Sequence, residues 1–393
     1  MNDLRCALIF LGPFPVGNVS TLRILSYCKA LANKGVFVKV LIIAPTTEAQ
    51  VNKDRFGSID GVEYQYMTGI TWRKLGKFRL IKYLYYIIGL LISLKYLNKD
   101  RINCVLSYHD ELVSNVFYRV FASLFSIPYI LDKTEYPKDR SSKSKFRREV
   151  ARYRLKLFSG IITITSELKE FYSRILTPER VFLLPMTIDI NRFQNTEVQE
   201  ISDPYIAVIF GTHNRDGLEV SVKAYGEYCR LSDAPPFKLK LVGDFNTLCQ
   251  RWPRTELIKR YIEDNNLGSL IEIIGLVPIN DVPQLLINAA CLMTTPANYA
   301  SGGFPTKLGE YLLAGVPVIA TSAGEISNYL TDEINILLSP TNNVNHIARR
   351  ILFVQNNPKA AQKIALAGKA LAIEVFNAET YSWKLIKFIK GIK

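Results

Sequence analysis

The chain has 393 residues, of which 48% are apolar and 21% carry a charge, proportions that exclude a disordered protein. This length is enough for two domains of ordinary size, each with its own core. The formal net charge of +14 lies almost entirely in residues 1–200, where 30 Lys and Arg stand against 18 Asp and Glu. An anionic partner is therefore expected for the N-terminal half.

Six cysteines are spread along the chain without a Cys-x-x-Cys pair. This spacing argues against a zinc site and predicts reduced thiols in a cytosolic compartment. The apolar start over residues 6–10 is too short for a signal peptide and is predicted to be a first strand.

The N-terminal half alternates between strand and helix patterns. Residues 4–11 are an almost continuous apolar run, typical of a strand buried on both faces of a parallel sheet. A Gly/Pro turn over 12–18, a helix over 20–33 and a strand over 36–43 follow. Further strands are predicted at 104–107, 129–131, 160–165 and 181–184, with helices at 112–125 and 147–158. This alternation predicts a doubly wound α/β domain over residues 1–190.

The C-terminal half repeats the alternation after a polar, aperiodic stretch at 190–204, which is predicted to be the linker. Strands are predicted at 205–210, 238–242, 271–274, 290–294, 318–320 and 336–339, with helices at 219–229 and 282–288 among others. They predict a second Rossmann-like domain over 200–376. A final helix within 377–393 is expected to pack back on the first domain. Two such domains in series predict a ligand cleft at the carboxyl ends of the strands.

Residues 301–325 hold the most informative pattern. A Gly-Gly-Phe-Pro turn is predicted to open a short helix that contains Lys307 and Glu310 and ends at Gly315. The N-terminus of a helix offers unpaired N–H groups and a positive dipole end, which suit a phosphate. Lys307 adds a positive charge, and Glu310 can accept hydrogen bonds from a ribose diol. A nucleotide diphosphate is the predicted ligand.

Three segments of the C-terminal half form a recognisable series. They are a Glu-x-x-x-x-Gly-x-Pro-Val-Ile signature that begins at Glu310, a strand–Gly loop over 210–217, and strand–Gly turns at Gly243 and Gly275. In order and spacing, residues 205–375 resemble the retaining glycosyltransferases of family 4 (glycosyltransferase group 1). That family has the GT-B fold, α/β with two Rossmann-like doubly wound domains that face an interdomain cleft.

The sequence departs from the family at two positions. The family pairs two glutamates eight residues apart; Glu310 matches the second, but Gly302 takes the place of the first. The resemblance then implies that backbone N–H groups over 302–304 contribute to sugar recognition. Arg215 is the nearest match to the family's phosphate-binding Lys, and it can hold a phosphate bidentately. The predicted donor-binding residues are Gly17, Gly211, Arg215, Gly302, Gly303, Phe304, Pro305, Lys307 and Glu310, each of which has a simpler alternative as a turn, loop or surface residue.

Three candidates lie at predicted strand ends of the N-terminal half. In the family, the loop matching Gly17 reaches the donor phosphates or the acceptor, although any tight turn can require a glycine. His109 follows a strand and is a candidate for sugar or acceptor binding, against a structural or solvated histidine. Glu135 lies about where relatives place a catalytic His and would orient or deprotonate the acceptor hydroxyl. The predicted catalytic residues are Glu135, His109, Arg215 and Lys307, the last two stabilising charge on the leaving diphosphate.

The basic and apolar segments of the N-terminal half predict a second kind of partner. Basic residues at 73–82 precede an apolar run over 84–94, which is shorter than the roughly 20 residues of a membrane-spanning helix. This segment is either a core helix or lies at a membrane surface. A second basic cluster at 138–156 favours peripheral association with an anionic membrane. The chain contains no recognisable nucleic-acid-binding motif, so a nucleic-acid partner is not expected.

Taken together, the sequence and the resemblance predict a retaining hexosyltransferase. It would use a nucleotide-diphosphate sugar as co-substrate, with no metal or other cofactor, and transfer the sugar to a lipid-linked or growing surface glycan. Its predicted location is the cytoplasm, at the inner face of the cell membrane. Two alternatives remain open: a catalytically weak scaffold in glycan assembly, and a GT-B sugar-nucleotide epimerase.

Overall fold

The computed structural model describes residues 3–46, 52–72, 79–194, 196–199, 202–211 and 215–392. The chain divides into two compact units. The first unit comprises Met1–Asp189, Ser301–Gly303 and Asn377–Lys393, and the second comprises Ile190–Ala300 and Phe304–Phe376. The polar stretch predicted as a linker at 190–204 therefore lies in the second unit, where it begins with a 3₁₀ turn over Ile190–Phe193.

The first unit is built on an eight-stranded sheet with the order β3-β4-β2-β1-β5-β6-β7-β8. Its strands are β1 (Arg5–Phe10), β2 (Phe37–Ile42), β3 (Phe56–Ile59), β4 (Val62–Tyr66), β5 (Cys104–Ser107), β6 (Tyr129–Lys133), β7 (Gly160–Thr163) and β8 (Val181–Leu183). Strands β3 and β4 pair antiparallel, while the other described pairs are parallel. This hairpin, which was not predicted from the sequence, turns at Asp60 and Gly61, both with positive φ.

The second unit is built on a six-stranded parallel sheet with the order β11-β10-β9-β12-β13-β14. Its strands are β9 (Tyr205–Ile209), β10 (Lys238–Val242), β11 (Ile271–Gly275), β12 (Cys291–Thr294), β13 (Val318–Thr321) and β14 (Leu337–Ser339). Strand order reverses at β9, which pairs with β10 on one side and with β12 on the other. In open α/β sheets, ligands bind outside the carboxyl ends of the strands at such a reversal.

Helices connect the strands in both units. They are α1 (Val19–Asn33), α2 (Arg79–Lys99), α3 (Leu112–Leu124), α4 (Lys145–Leu155), α5 (Ser166–Ser173), α6 (Leu218–Leu231), α7 (Phe245–Arg251), α8 (Glu256–Asp264), α9 (Val282–Ile287), α10 (Lys307–Ala314), α11 (Ile326–Tyr329), α12 (Val344–Asn356), α13 (Pro358–Val375) and α14 (Glu379–Gly391). The last helix lies against the first helix of the first unit, where Glu379 accepts a hydrogen bond from Asn33 (2.7 Å) and pairs with Lys34 (3.0 Å).

A charged pair lies inside the first unit. Arg23 of α1 and Asp132 of β6 are 3% and 2% exposed, and two nitrogens of the guanidinium donate to the two carboxylate oxygens at 3.0 and 3.1 Å. The guanidinium also donates to the carbonyls of Leu184 and Pro185 (3.2 and 2.9 Å). Burial disfavours the charged guanidinium, but Asp132 overcomes it and raises the pKa of Arg23. The pair therefore ties α1, β6 and the end of β8 together.

The apolar run at 84–94 lies in helix α2. The run extends into a 21-residue helix, longer than the apolar stretch counted from the sequence. Within the part of the chain that the structure describes, α2 is the one helix long and apolar enough, by length and composition alone, to cross a membrane. Leu90, Ser93 and Leu97 are buried, but only 22% of its most apolar stretch is, so most of that stretch is at the surface of the first unit.

Candidate functional site

Helix α10 follows the Gly-Gly-Phe-Pro turn, and its first residue is Lys307. Its last residue is Ala314, and the cap is Gly315, which adopts the left-handed conformation expected of a glycine cap. The Phe304 ring is buried and packs edge-on against Tyr329 at 5.7 Å, while the Pro305 carbonyl accepts from the N–H of Leu308. The ring of Phe304 is therefore a core group, and only its backbone is left to meet a ligand.

Lys307 is held at the carboxyl end of β9. Its ammonium group pairs with Asp216 (2.8 Å) and donates to the Ile209 carbonyl (2.8 Å). Burial lowers the pKa of Lys307, nearby Arg215 acts in the same direction, and Asp216 opposes them. A lysine ammonium has three N–H donors, so two are used here and one is left for a ligand.

The loop after β9 is closed by the same carboxylate. Asp216 accepts a hydrogen bond from the N–H of Gly211 (2.6 Å), and Arg215 is exposed beside it; residues 212–214 lie outside the described part of the chain. Among the described residues, a Cβ at Gly211 would meet nothing closer than 3.4 Å, at the Asp216 carboxylate. A donor-binding role for Gly211 stays a prediction. In contrast, Gly217 has φ +73° and a Cβ there would lie 1.8 Å from the Thr295 carbonyl, so its role is structural.

Glu310, one turn into α10, has a partner that the sequence analysis missed. Nη1 of Arg192 contacts Glu310, and Nη2 of Arg192 donates to the Ile279 carbonyl at 2.7 Å. Arg192 falls in the stretch predicted as a linker, so its sequence context carried no signal of a site. The second unit therefore brings together Lys307, Arg215, Gly211 and Glu310, as predicted, and adds Asp216 and Arg192.

The two glycines of the turn, Gly302 and Gly303, belong to the first unit, whereas Lys307 and Glu310 belong to the second. The Gly302 carbonyl accepts from Thr165 (2.7 Å), and Gly302 has φ +75°, with any Cβ 2.7 Å from the Leu168 side chain and 2.8 Å from that of Tyr136. A glutamate at this position would be strained and would clash with both side chains. Gly303 is less restricted, with 3.4 Å to the nearest atoms, and a Cβ there would lie near Glu135.

Gly17 also has a structural reason to be a glycine. A Cβ at this position would lie 2.3 Å from Thr21 Oγ1 and 2.6 Å from the Pro13 carbonyl, two atoms that hydrogen-bond to each other. Next to it, Asn18 caps α1 by accepting from the N–H groups of Ser20 and Thr21. The close packing of this turn neither supports nor opposes a ligand-binding role for Gly17.

His109 lines a cavity of about 290 Å³ in the first unit, at the carboxyl ends of β5 and β6. Its ring stacks on Phe10 at 5.2 Å, and its Nε2 is buried without a hydrogen-bond partner among the described residues. Burial, with Lys133, lowers its pKa to about 4, so it is neutral at pH 7 and a weak base. Next to it, Asp110 pairs with Lys133 (3.0 Å) and Arg154 (3.2 Å).

The low pKa of His109 predicts a loss of stability in mild acid. An unfolded histidine takes up a proton near pH 6.5, whereas His109 in the folded chain does so only near pH 4. Below pH 6.5 the unfolded state therefore binds more protons, and the free energy of unfolding should fall by about 2 kcal/mol between pH 7 and pH 5. Urea unfolding at the two pH values measures this, and His109→Gln should remove most of the difference. His346→Gln, in the second unit, is the control; an unchanged pH effect in His109→Gln would contradict the assignment.

Glu135 follows β6, and hydrogen bonds hold the backbone at Glu135 and at the next residue, Tyr136. Its carbonyl accepts from the Tyr172 hydroxyl at 2.8 Å, and the neighbouring Tyr136 N–H donates to the Ser301 carbonyl at 2.7 Å. Glu135 is thus anchored beside the 301–303 segment. Among the residues that the structure describes, no group of three or more His, Cys, Asp or Glu side chains is placed to hold a metal ion.

The second unit is also the part of the chain that matches a known protein family. Residues 191–371 match the family model of glycosyl transferases group 1. This match covers just under half of the chain. One subunit of the phosphatidylinositol N-acetylglucosaminyltransferase of Arabidopsis thaliana is 25% identical to it over 166 residues, which are 42% of this chain and 34% of the relative. The chain therefore spans only about a third of that relative's length.

Solved structures superpose on this chain over nearly its whole length. Sucrose-phosphate synthase from Thermosynechococcus elongatus superposes with a TM-score of 0.73 at 17% identity, over 99% of both chains. HepE from Anabaena, solved with UDP and glucose, superposes with a TM-score of 0.67 at 15% identity, over 99% of this chain and 100% of its own. At this level of identity the likeness establishes the GT-B fold, with its two Rossmann-like α/β domains.

Proposed function

We propose that the protein is a retaining hexosyltransferase of the family 4 type that binds a nucleotide-diphosphate sugar on its second unit. The observation that supports this most is the cluster at the strand reversal of the second sheet, where Lys307 lies one helix turn before Glu310 and Arg215 acts on Lys307 from the loop after β9. The two cations suit a diphosphate and the carboxylate suits a ribose diol. The nucleotide in the HepE structure adds support for this class of donor.

In the proposed mechanism, Lys307 and Arg215 stabilise the negative charge of the leaving diphosphate. As the bond between the sugar and the diphosphate breaks, negative charge grows on the leaving phosphate oxygens. The free N–H of Lys307 and the guanidinium of Arg215 stabilise that charge in place of a metal ion. The acceptor hydroxyl attacks from the face that the diphosphate leaves, so the anomeric configuration is retained. On the first unit, Glu135 orients or deprotonates this hydroxyl, and His109, neutral at pH 7, contributes to acceptor binding.

Donor binding is the decisive test. UDP-, GDP- and ADP-linked hexoses are screened by thermal shift and calorimetry, and one of them is expected to raise the melting temperature, with nucleotide released in the presence of EDTA once an acceptor is supplied. If none binds at millimolar concentration, the proposal fails. Recovery of an epimerised nucleotide sugar without acceptor would favour the epimerase alternative, and binding without any turnover would favour the scaffold. NMR of the product's anomeric proton reports retention.

We also propose that the acceptor is lipid-linked or part of a growing surface glycan, and that the enzyme works at the inner face of the cell membrane. The name of the Arabidopsis relative specifies a lipid acceptor. In this protein, α2 and α3 lie side by side. The backbone N–H of Ser114 donates to the Tyr86 hydroxyl (3.1 Å), and the Ser93 and Tyr118 hydroxyls are 2.8 Å apart. Large apolar side chains project outward from both helices: Leu80, Tyr83, Leu84 and Leu91 on α2, and Leu112, Val116, Val120 and Leu124 on α3.

Basic residues are exposed on helix α4 of the same unit. Helix α4 carries exposed Phe146 and Tyr153 together with Lys145, Arg147 and Arg152. Apolar side chains that enter the interface and cations that meet anionic headgroups are the two signals that peripheral binding needs. We name the outward faces of α2, α3 and α4 the membrane-facing surface.

Vesicle binding tests the membrane-facing surface. The chain is expected to sediment with phosphatidylcholine vesicles containing 30% phosphatidylglycerol and to do so at least tenfold less with pure phosphatidylcholine. Leu124→Asp should reduce binding about tenfold, because Leu124 is 77% exposed on α3. Leu276→Asp is the control, since Leu276 of the second unit is also 77% exposed. Equal losses in both variants, or no binding to either vesicle, would contradict the proposed surface.

A further inference from the structure

Arg192 has no role in the mechanism above, yet its guanidinium contacts both a carboxylate and a backbone carbonyl of the second unit. It lies in the 3₁₀ turn Ile190–Phe193, more than a hundred residues before α10. Its side chain is 15% exposed and that of Glu310 is 17% exposed. Because Nη1 contacts Glu310 while Nη2 donates to the Ile279 carbonyl, the planar guanidinium is fixed at two points.

This anchoring restricts the carboxylate of Glu310. A glutamate on a helix surface samples several rotamers, and freezing them on ligand binding costs free energy. The contact with Arg192 occupies only part of the hydrogen-bonding capacity of Glu310, because an ionised carboxylate offers about four lone-pair sites. The remaining sites are presented in a fixed direction. The guanidinium also offsets the negative charge of Glu310, which otherwise would repel a diphosphate nearby.

We propose that Arg192 is a positioning residue that holds Glu310 for the ribose hydroxyls of the nucleotide, and so sets the preference for ribose. This inference rests on the proposed nucleotide-binding function. Arg192 does not touch the ligand in this scheme; it acts through Glu310. Its removal therefore weakens binding of a ribonucleotide more than binding of a nucleotide that lacks the two hydroxyls.

The test compares each of UDP, GDP and ADP with its 2′,3′-dideoxy counterpart by calorimetry. For the nucleotide that binds, the wild-type chain is expected to prefer the ribose form at least tenfold, since hydrogen bonds to a charged group are strong. Arg192→Ala should reduce that preference to about twofold, and Arg192→Lys should restore part of it. In a Glu310→Ala background, Arg192→Ala should change the preference no further. Arg230→Ala is the control, because Arg230 pairs with Glu227 on the exposed face of α6.

Each outcome has a distinct meaning. If no nucleotide binds the wild-type chain, the proposed function fails and the positioning role falls with it. If a nucleotide binds but Arg192→Ala keeps the wild-type preference, the positioning role alone is wrong. If Arg192→Ala binds the ribonucleotide more tightly, Arg192 blocks Glu310 rather than presenting it. If Arg192→Ala lowers affinity for both forms equally, Arg192 stabilises the second unit without orienting the carboxylate, and the proposal is again overturned.

Discussion

Replacement of Asp132 by alanine is expected to lower the free energy of unfolding of the first unit by about 3–5 kcal/mol. Asp132 and Arg23 are both almost fully buried, and the guanidinium uses the two carboxylate oxygens and two backbone carbonyls as acceptors. Without Asp132, a cation remains inside the unit with only carbonyls to compensate it. Urea unfolding, with hydrogen exchange of the α1 and β6 peptides to identify the unit that opens, measures the change.

Two further variants distinguish the free-energy cost of leaving Arg23 buried without its partner from the net contribution of the ion pair to stability. The double variant Arg23→Met, Asp132→Leu removes both charges and is expected to recover most of the stability, because buried ion pairs gain little over apolar residues of similar size. Lys223→Ala breaks the exposed Lys223–Glu219 pair of α6 and should cost less than about 1 kcal/mol. A cost below about 1 kcal/mol for Asp132→Ala would show that water reaches Arg23 in the variant.

The strand and helix alternation was predictable because a parallel sheet covered on both faces needs continuous apolar strands. Residues 4–11 show this, since β1 is buried along almost its whole length. The β3–β4 hairpin was missed because it is short and half-exposed, so its residues alternate without a continuous apolar run.

In the candidate site, too, some residues were predictable from the sequence and others were not. Lys307 and Glu310 were predicted from their spacing on one turn of helix, and Arg215 from the resemblance of its loop to that of the family. Asp216 and Arg192 were not, because their partners lie about 90 and 118 residues away along the chain. Such pairings depend on how β9 and α10 pack, which a single sequence does not reveal. Gly302 has a structural reason to be a glycine, since a Cβ there would clash with Tyr136 and Leu168, and its donor-binding role stays a prediction.

Lys307→Met is expected to lower the turnover number for sugar transfer by about 10²–10³ and to weaken nucleotide-diphosphate binding. The lysine ammonium has one N–H left after its contacts with Asp216 and the Ile209 carbonyl, and burial in the second unit strengthens its interaction with a phosphate. Initial-rate kinetics and calorimetry with the donor found in the screen measure both effects.

Asp216→Asn distinguishes a phosphate ligand from a structural tie. If Lys307 only ties α10 to the loop after β9, then removing either partner breaks the same bond, and the two variants should lose nucleotide affinity together. If Lys307 binds phosphate, Asp216→Asn removes a negative charge 2.8 Å from the ammonium and frees one of its donors. Nucleotide affinity in Asp216→Asn should then stay the same or rise, while it falls at least tenfold in Lys307→Met. Parallel losses in the two variants would remove Lys307 from the list of phosphate ligands and leave Arg215 as the cation that meets the diphosphate.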